Sequence, residues 1–236
     1  SCPTDDSVMT LAVAKALVAS REDWSQLSKN AVKYMQEIGR QYPNCGYGGH
    51  FFYWIFSDDP QPYGSYGNGS AMRISPVGFA ADSIEQAKAL SQAVTEVSHD
   101  HPEGLKGAEA VAVAIFLART GSSRHEIRDY IDKNYYSMDF TLDQIREDYS
   151  FDVTCQGSVP QAFQAFFESQ DFEDAIRNAI SIGGDSDTIA AICGGLAQAY
   201  YGIPAPIRNQ AMAYLDDHLV EIVDTFESAY PIHPNK

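Results

Sequence analysis

Apolar residues recur along this chain at intervals of three and four, the spacing that lines up side chains on one face of a helix. Trp24, Leu27, Ala31, Tyr34, Met35 and Ile38 make one such stripe, and Ile84, Ala87, Ala93, Val94 and Val97 make another. The stretch 103–119 is rich in Ala and apolar on nearly every side, the pattern of a helix surrounded by other helices. Near the C-terminus, Ile207, Ala211, Tyr214, Leu215, Leu219, Ile222 and Phe226 predict one long packing helix opened by Pro204 and Pro206.

Polar punctuation sets expected boundaries. Ser158-Val159-Pro160 predicts a capped helix start. Asp171 with Asp174 predicts an acidic cap before Phe172, Ala175, Ile176, Ala179 and Ile180, and Gly183-Gly184 predicts that helix's end. Alternation of the strand type is almost absent, and 51–56 is too short to classify. With neither an internal repeat nor a break in composition, the expectation is a single compact domain over 1–236, all-α, an orthogonal multi-helix bundle.

Composition narrows the function classes. At 236 residues and 44% hydrophobic content the chain can bury a substantial core. No apolar run reaches the roughly 18 to 20 residues of a membrane span. The start at Ser1 and Cys2 has neither a basic nor an apolar signal region. Cys2, Cys45, Cys155 and Cys193 are scattered and too few to staple a chain of this size, so they read as reduced thiols in the cytoplasm. A net charge of −16 opposes binding to a nucleic acid backbone. It leaves room for a small anionic ligand only where cations neutralise carboxylates locally.

Two acidic helix starts carry the candidate chemistry. Thr4-Asp5-Asp6-Ser7 precedes the helical run Val8, Leu11, Ala12 and Ala16, and by itself it reads most simply as capping and dipole compensation. Asp185, Ser186, Asp187 and Thr188 follow the two glycines and precede Ile189, Ile192, Cys193, Leu196 and Tyr200. That is more short polar side chains than a cap requires. Brought together, the two starts offer hard oxygen ligands of the kind Mg²⁺ or Mn²⁺ prefers. Without a metal, four carboxylates in one cleft would repel each other strongly.

The run GGDSDTIAAICGGLAQAYYG at 183–202, with TDDSVMTLAVAKAL at 4–17, resembles the ADP-ribosylglycohydrolase family. The likeness extends, in the family's order, to Gly67-Asn68-Gly69-Ser70-Ala71-Met72-Arg73 and to Ser98-His99-Asp100-His101-Pro102-Glu103-Gly104. It is nearest to the bacterial, dinitrogenase-reductase-activating glycohydrolase-like branch.

The resemblance implies two Mg²⁺ ions, replaceable by Mn²⁺, held by Thr4, Asp5, Asp6, Asp185, Asp187 and Thr188, with Ser186 lining the site. Asp6 and Asp187 are the implied metal-bridging or proton-handling residues. Gly67, Asn68, Gly69 and Ser70 are expected to approach a diphosphate, with a simple structural turn as the alternative. His99 is expected near the phosphate and distal ribose, Arg73 there or in a buried ion pair, and His101 in a structural role only. The implied reaction is hydrolysis of the bond joining ADP-ribose to a protein side chain such as arginine, or to a small molecule. The family also carries a segment before TDDS that supplies one more Glu ligand, and no residue of this sequence matches it. The corresponding expectation is a site that binds metal and ADP-ribose but turns over weakly; the alternative is a non-catalytic binding module.

Overall fold

In the computed structural model, which describes residues 3–231, the chain winds through fourteen α-helices and one 3₁₀ turn, Trp24–Gln26. The helices are α1 (Asp5–Ser20), α2 (Leu27–Gln41), α3 (Gly49–Phe56), α4 (Gly69–Met72), α5 (Ser75–Ala80), α6 (Ile84–Thr95) and α7 (Pro102–Arg119). They continue as α8 (Arg124–Asn134), α9 (Leu142–Ile145), α10 (Cys155–Phe167), α11 (Phe172–Ser181), α12 (Ser186–Tyr201), α13 (Ala205–Met212) and α14 (Asp217–Ala229). Among the described residues there is no strand; one antiparallel bridge joins Gly67 to Thr154. No helix there is long and apolar enough to cross a membrane. Cys2 lies outside the described residues, and Cys45, Cys155 and Cys193 are buried thiols.

α7 occupies the centre, as its Ala-rich sequence requires. Ala108, Ala110, Val111, Ala112, Val113, Ala114, Ile115 and Ala118 are all buried, and the small side chains let α4, α5, α6, α10 and α12 pack around it. α1 lies against α2, α5 and α14, and reaches α12 at its acidic end. One apolar cluster runs from Val8 to Phe226 and fixes both acid-bearing helices to the same framework.

Two boundaries differ from those the sequence predicts, and one unclassified stretch is resolved. α10 starts at Cys155, with the Thr154 hydroxyl accepting from the Gly157 N–H at 3.0 Å, so Pro160 lies inside the helix and not at its start. Ser158 lies within the helix, and its hydroxyl reaches back to the preceding loop, donating to the Asp152 carbonyl at 3.1 Å and accepting from Asn68. The C-terminal stripe is two helices, because the Asp216 carboxylate accepts from the Leu219 N–H at 3.0 Å and caps a new start, while the Tyr42 hydroxyl donates to it. Residues 51–56 belong to helix α3, with Phe51, Trp54 and Ile55 buried against the core.

Candidate active site

The first turns of α1 and α12 face each other across a cleft lined by Thr4, Asp5, Asp6, Asp185, Asp187 and Thr188. Gly183 and Gly184 make this approach possible, since at φ 74° and 67° they occupy the left-handed region that other residues rarely adopt. Their turn carries the chain from the end of α11 straight into Asp185. Asp6 is 6% exposed, and each of its carboxylate oxygens accepts a threonine hydroxyl: Thr4 to Oδ2 at 3.1 Å and Thr188 to Oδ1 at 3.0 Å. The contact from Thr188 ties residues 182 positions apart. Asp185 Oδ2 accepts from Asn68 Nδ2 at 2.8 Å, and Asp187 is the most exposed carboxylate of the group.

Burial, followed by the charge of Asp6 and then of Asp187 and Asp185, pushes the Asp5 carboxyl up to about 7. Burial also raises Asp6, against the hydrogen bond from Thr188, with Asp187 adding to the rise. Asp185 is raised by burial too, with Asn68 opposing and Asp187 adding, both by hydrogen bond and by charge. The charges that act on these three groups are other carboxylates. Among the described residues no three His, Cys, Asp or Glu side chains stand ready-made around one metal position. Asp6 instead has both oxygens turned to hydroxyl donors. The donor set, three crowded desolvated carboxylates with Asp187 and two Thr hydroxyls, is nonetheless the chemistry a hard divalent cation takes.

The opposite wall is of another kind. Gly67, Asn68 and Gly69 line it, with Tyr63, Phe51, Arg73 and His99 behind them. The Gly67 N–H goes to Ser65 Oγ at 3.2 Å and the Asn68 N–H to the Val153 carbonyl at 2.7 Å. The Asn68 amide spans from Ser158 Oγ at 2.9 Å to Asp185, so it links this wall to the acidic one. Ser70 sits beneath the loop, fully buried, donating to the carbonyls of Gly104 and Gly67. Ser186, the first residue of α12, is half-buried and is not part of the lining.

His99 is 4% exposed, and a Cβ on Gly69 would stand 3.4 Å from its Nε2, so the loop packs directly against the edge of the ring. Burial, with the neighbouring Arg73 charge, holds the imidazole well below its usual range, so the ring is neutral. Arg73 is buried as expected, but its contact is the Ser98 hydroxyl; among the described residues no ion pair holds it. His101 caps α7, its Nδ1 accepting from the Glu103 N–H at 3.1 Å. Sequence reasoning did not single out His50, Phe51, Tyr63, Phe151 or Val153, all of which line the cleft. Phe151 and Val153 are 68% and 51% exposed at its mouth.

Two acidic helix starts thus meet across one cleft in a framework that is helical throughout the described residues. The sequence profile of ADP-ribosylglycohydrolase matches residues 2–232, and the chain belongs to that family of enzymes. It is 24% identical to the bovine (Bos taurus) ADP-ribosylhydrolase ARH3, over 86% of this chain and 71% of that protein. With the ADP-ribosylarginine hydrolase Tri1 of Pseudomonas putida (strain GB-1) it shares 26% identity, over 85% of this chain and 59% of that one. A solved chain described as an ADP-ribosylglycohydrolase-related protein complex has the same fold, with a TM-score of 0.69 and 22% identity, over 97% of this chain and 81% of its own length.

Proposed function

We propose that this chain hydrolyses the glycosidic bond between ADP-ribose and a protein side chain, arginine being the acceptor to test first, with Mg²⁺ held between α1 and α12. The observation that carries the reading is the meeting of two carboxylate pairs across one cleft whose other wall bears Arg73, His99 and the Gly67–Gly69 backbone. Thr4, Asp5, Asp6, Asp185, Asp187 and Thr188 would hold two ions, with Mn²⁺ as a substitute. The bound ions supply Lewis acidity and neutralise the carboxylate charge.

The chain's own residues do the rest. Asp6, fixed by two hydroxyl donors, gives the acidic wall a rigid centre. Asp187, exposed to solvent, would take a proton from an incoming water as its oxygen bonds to ribose C1 and the bond to the acceptor breaks. Positive charge that develops at C1 is stabilised by the surrounding carboxylates. The diphosphate lies toward His99 and Arg73, away from the acids that would repel it. The buried thiols of Cys45, Cys155 and Cys193 are consistent with the cytoplasmic setting we propose.

The test is release of ADP-ribose from arginine-linked and serine-linked ADP-ribosyl peptides and from a small ADP-ribosylated molecule, each with Mg²⁺ and with excess chelator. Metal-dependent release from the arginine peptide is expected. Release unaffected by chelator would overturn the metal assignment, and release from the serine peptide alone would overturn the acceptor.

A further inference from the structure

Arg73 heads the largest fully buried side chains of the protein, yet the described residues give it no carboxylate partner. Its Nη2 donates to Ser98 Oγ at 2.8 Å, its guanidinium lies 5.3 Å from the Phe51 ring centre, and its Nε has no hydrogen-bond partner. Burial lowers its pKa to about 10, which leaves it charged at neutral pH.

Ser98 is 0% exposed and has His99 Nδ1 as its second neighbour, at 2.8 Å. A hydroxyl carries one hydrogen and two acceptor sites, whereas arginine can only donate. Ser98 therefore accepts from Arg73. If His99 Nδ1 also carried a proton, Ser98 would accept twice and its own hydrogen would be left buried without an acceptor, which is unfavourable. The consistent arrangement has Ser98 donating to Nδ1, so the one proton of the neutral ring sits on Nε2. That nitrogen faces the Gly67–Gly69 loop, beside the cleft.

We propose that Arg73 and Ser98 are positioning residues: Arg73 orients the Ser98 hydroxyl, and Ser98 fixes His99 as an Nε2–H donor toward an anionic oxygen of the bound ligand. The ligand's identity as an ADP-ribosyl group rests on the function proposed above; the tautomer does not. This gives the buried, unpaired arginine a reason to be where it is. Its charge, placed behind a neutral donor, favours an anion at the imidazole edge without exposing a cation that would pair with Asp5 or Asp185.

Imidazole ¹⁵N NMR on the protein without ligand reads the tautomer directly. His99 is expected to show an unprotonated Nδ1 and a protonated Nε2 at pH 7. Ser98→Ala, a small change that avoids the folding risk of altering Arg73, is expected to abolish that preference. It should also weaken ADP-ribose binding about tenfold while leaving Mg²⁺ binding unchanged, and Ser98→Thr should restore both. A wild-type ring protonated on Nδ1, or a Ser98→Ala variant with wild-type tautomer and ADP-ribose affinity, would overturn the proposal. If ADP-ribose fails to bind the wild type, the ligand assignment falls, and the NMR arm still decides the tautomer.

Discussion

The start of α11 and the starts of α1 and α12 look alike in sequence, each with paired acids within the first turn, but they are built differently. At α11, Asp171 Oδ1 accepts from the Asp174 N–H at 2.8 Å and Asp174 Oδ2 accepts from the Gln170 N–H at 2.9 Å, so the carboxylates serve the helix end and face solvent. At α1 and α12 the cap positions, Thr4 and Asp185, accept no backbone N–H through their side chains. Instead, the Thr4 hydroxyl donates to Asp6, which the Thr188 hydroxyl reaches from α12, and Asp185 accepts from Asn68. An acidic helix start is thus a cap when its oxygens satisfy its own N–H groups. It becomes a candidate site when they are withheld from that task and some, as at Asp5 and Asp6, are desolvated.

Changing one acid in each region should separate them most strongly. Asp187→Ala is expected to reduce ADP-ribose release about 100-fold or more in kcat, read by steady-state kinetics, since the group that takes the proton from the incoming water is lost. Asp171→Ala should leave turnover unchanged, and equal losses would erase the distinction.

A smaller effect separates the regions by pH. Asp5 ionises near 3.8 when unfolded but only at about 7 in the folded chain, so between those values the folded state binds more protons. Metal-free stability therefore falls as pH rises from 3.8 to about 7, and Asp5→Asn should flatten the slope in denaturant melts. A stability that rises across this window in the wild type and is unchanged by the variant would contradict the burial assigned to Asp5. The smallest expected effect is in the cap itself. Asp171→Ala should cost about 1 kcal/mol of stability, measured by urea unfolding, while the Mg²⁺-induced rise in melting temperature stays at its wild-type value.

Most of the fold was legible because helical periodicity reports burial directly, as α7 shows. What the pattern could not give was competition among caps: Thr154 outcompetes Ser158 for the start of α10, and Asp216 divides a stripe whose apolar spacing continues across the break. At the site, short motifs pointed to the acids and to the glycine loop, which fall within runs of consecutive residues. The aromatic wall was hidden because Phe51, Tyr63 and Phe151 come from separate segments, each of which looks like ordinary packing or loop sequence alone. The link from Arg73 to His99 through Ser98 was equally hidden, since its Arg73–Ser98 bond joins residues 25 positions apart and exists only once α4 and α6 have packed on the core. The 149–153 segment offered one usable signal: Tyr149, Phe151 and Val153 alternate just before the Thr154 cap.

The central claim is that α1 and α12 form one cation site, and calorimetric titration of Mg²⁺ into wild type and Asp187→Ala tests it most directly. Saturable binding in the wild type, lost or greatly weakened in the variant, is the expected result. Indistinguishable titrations, or no binding to the wild type, would contradict it.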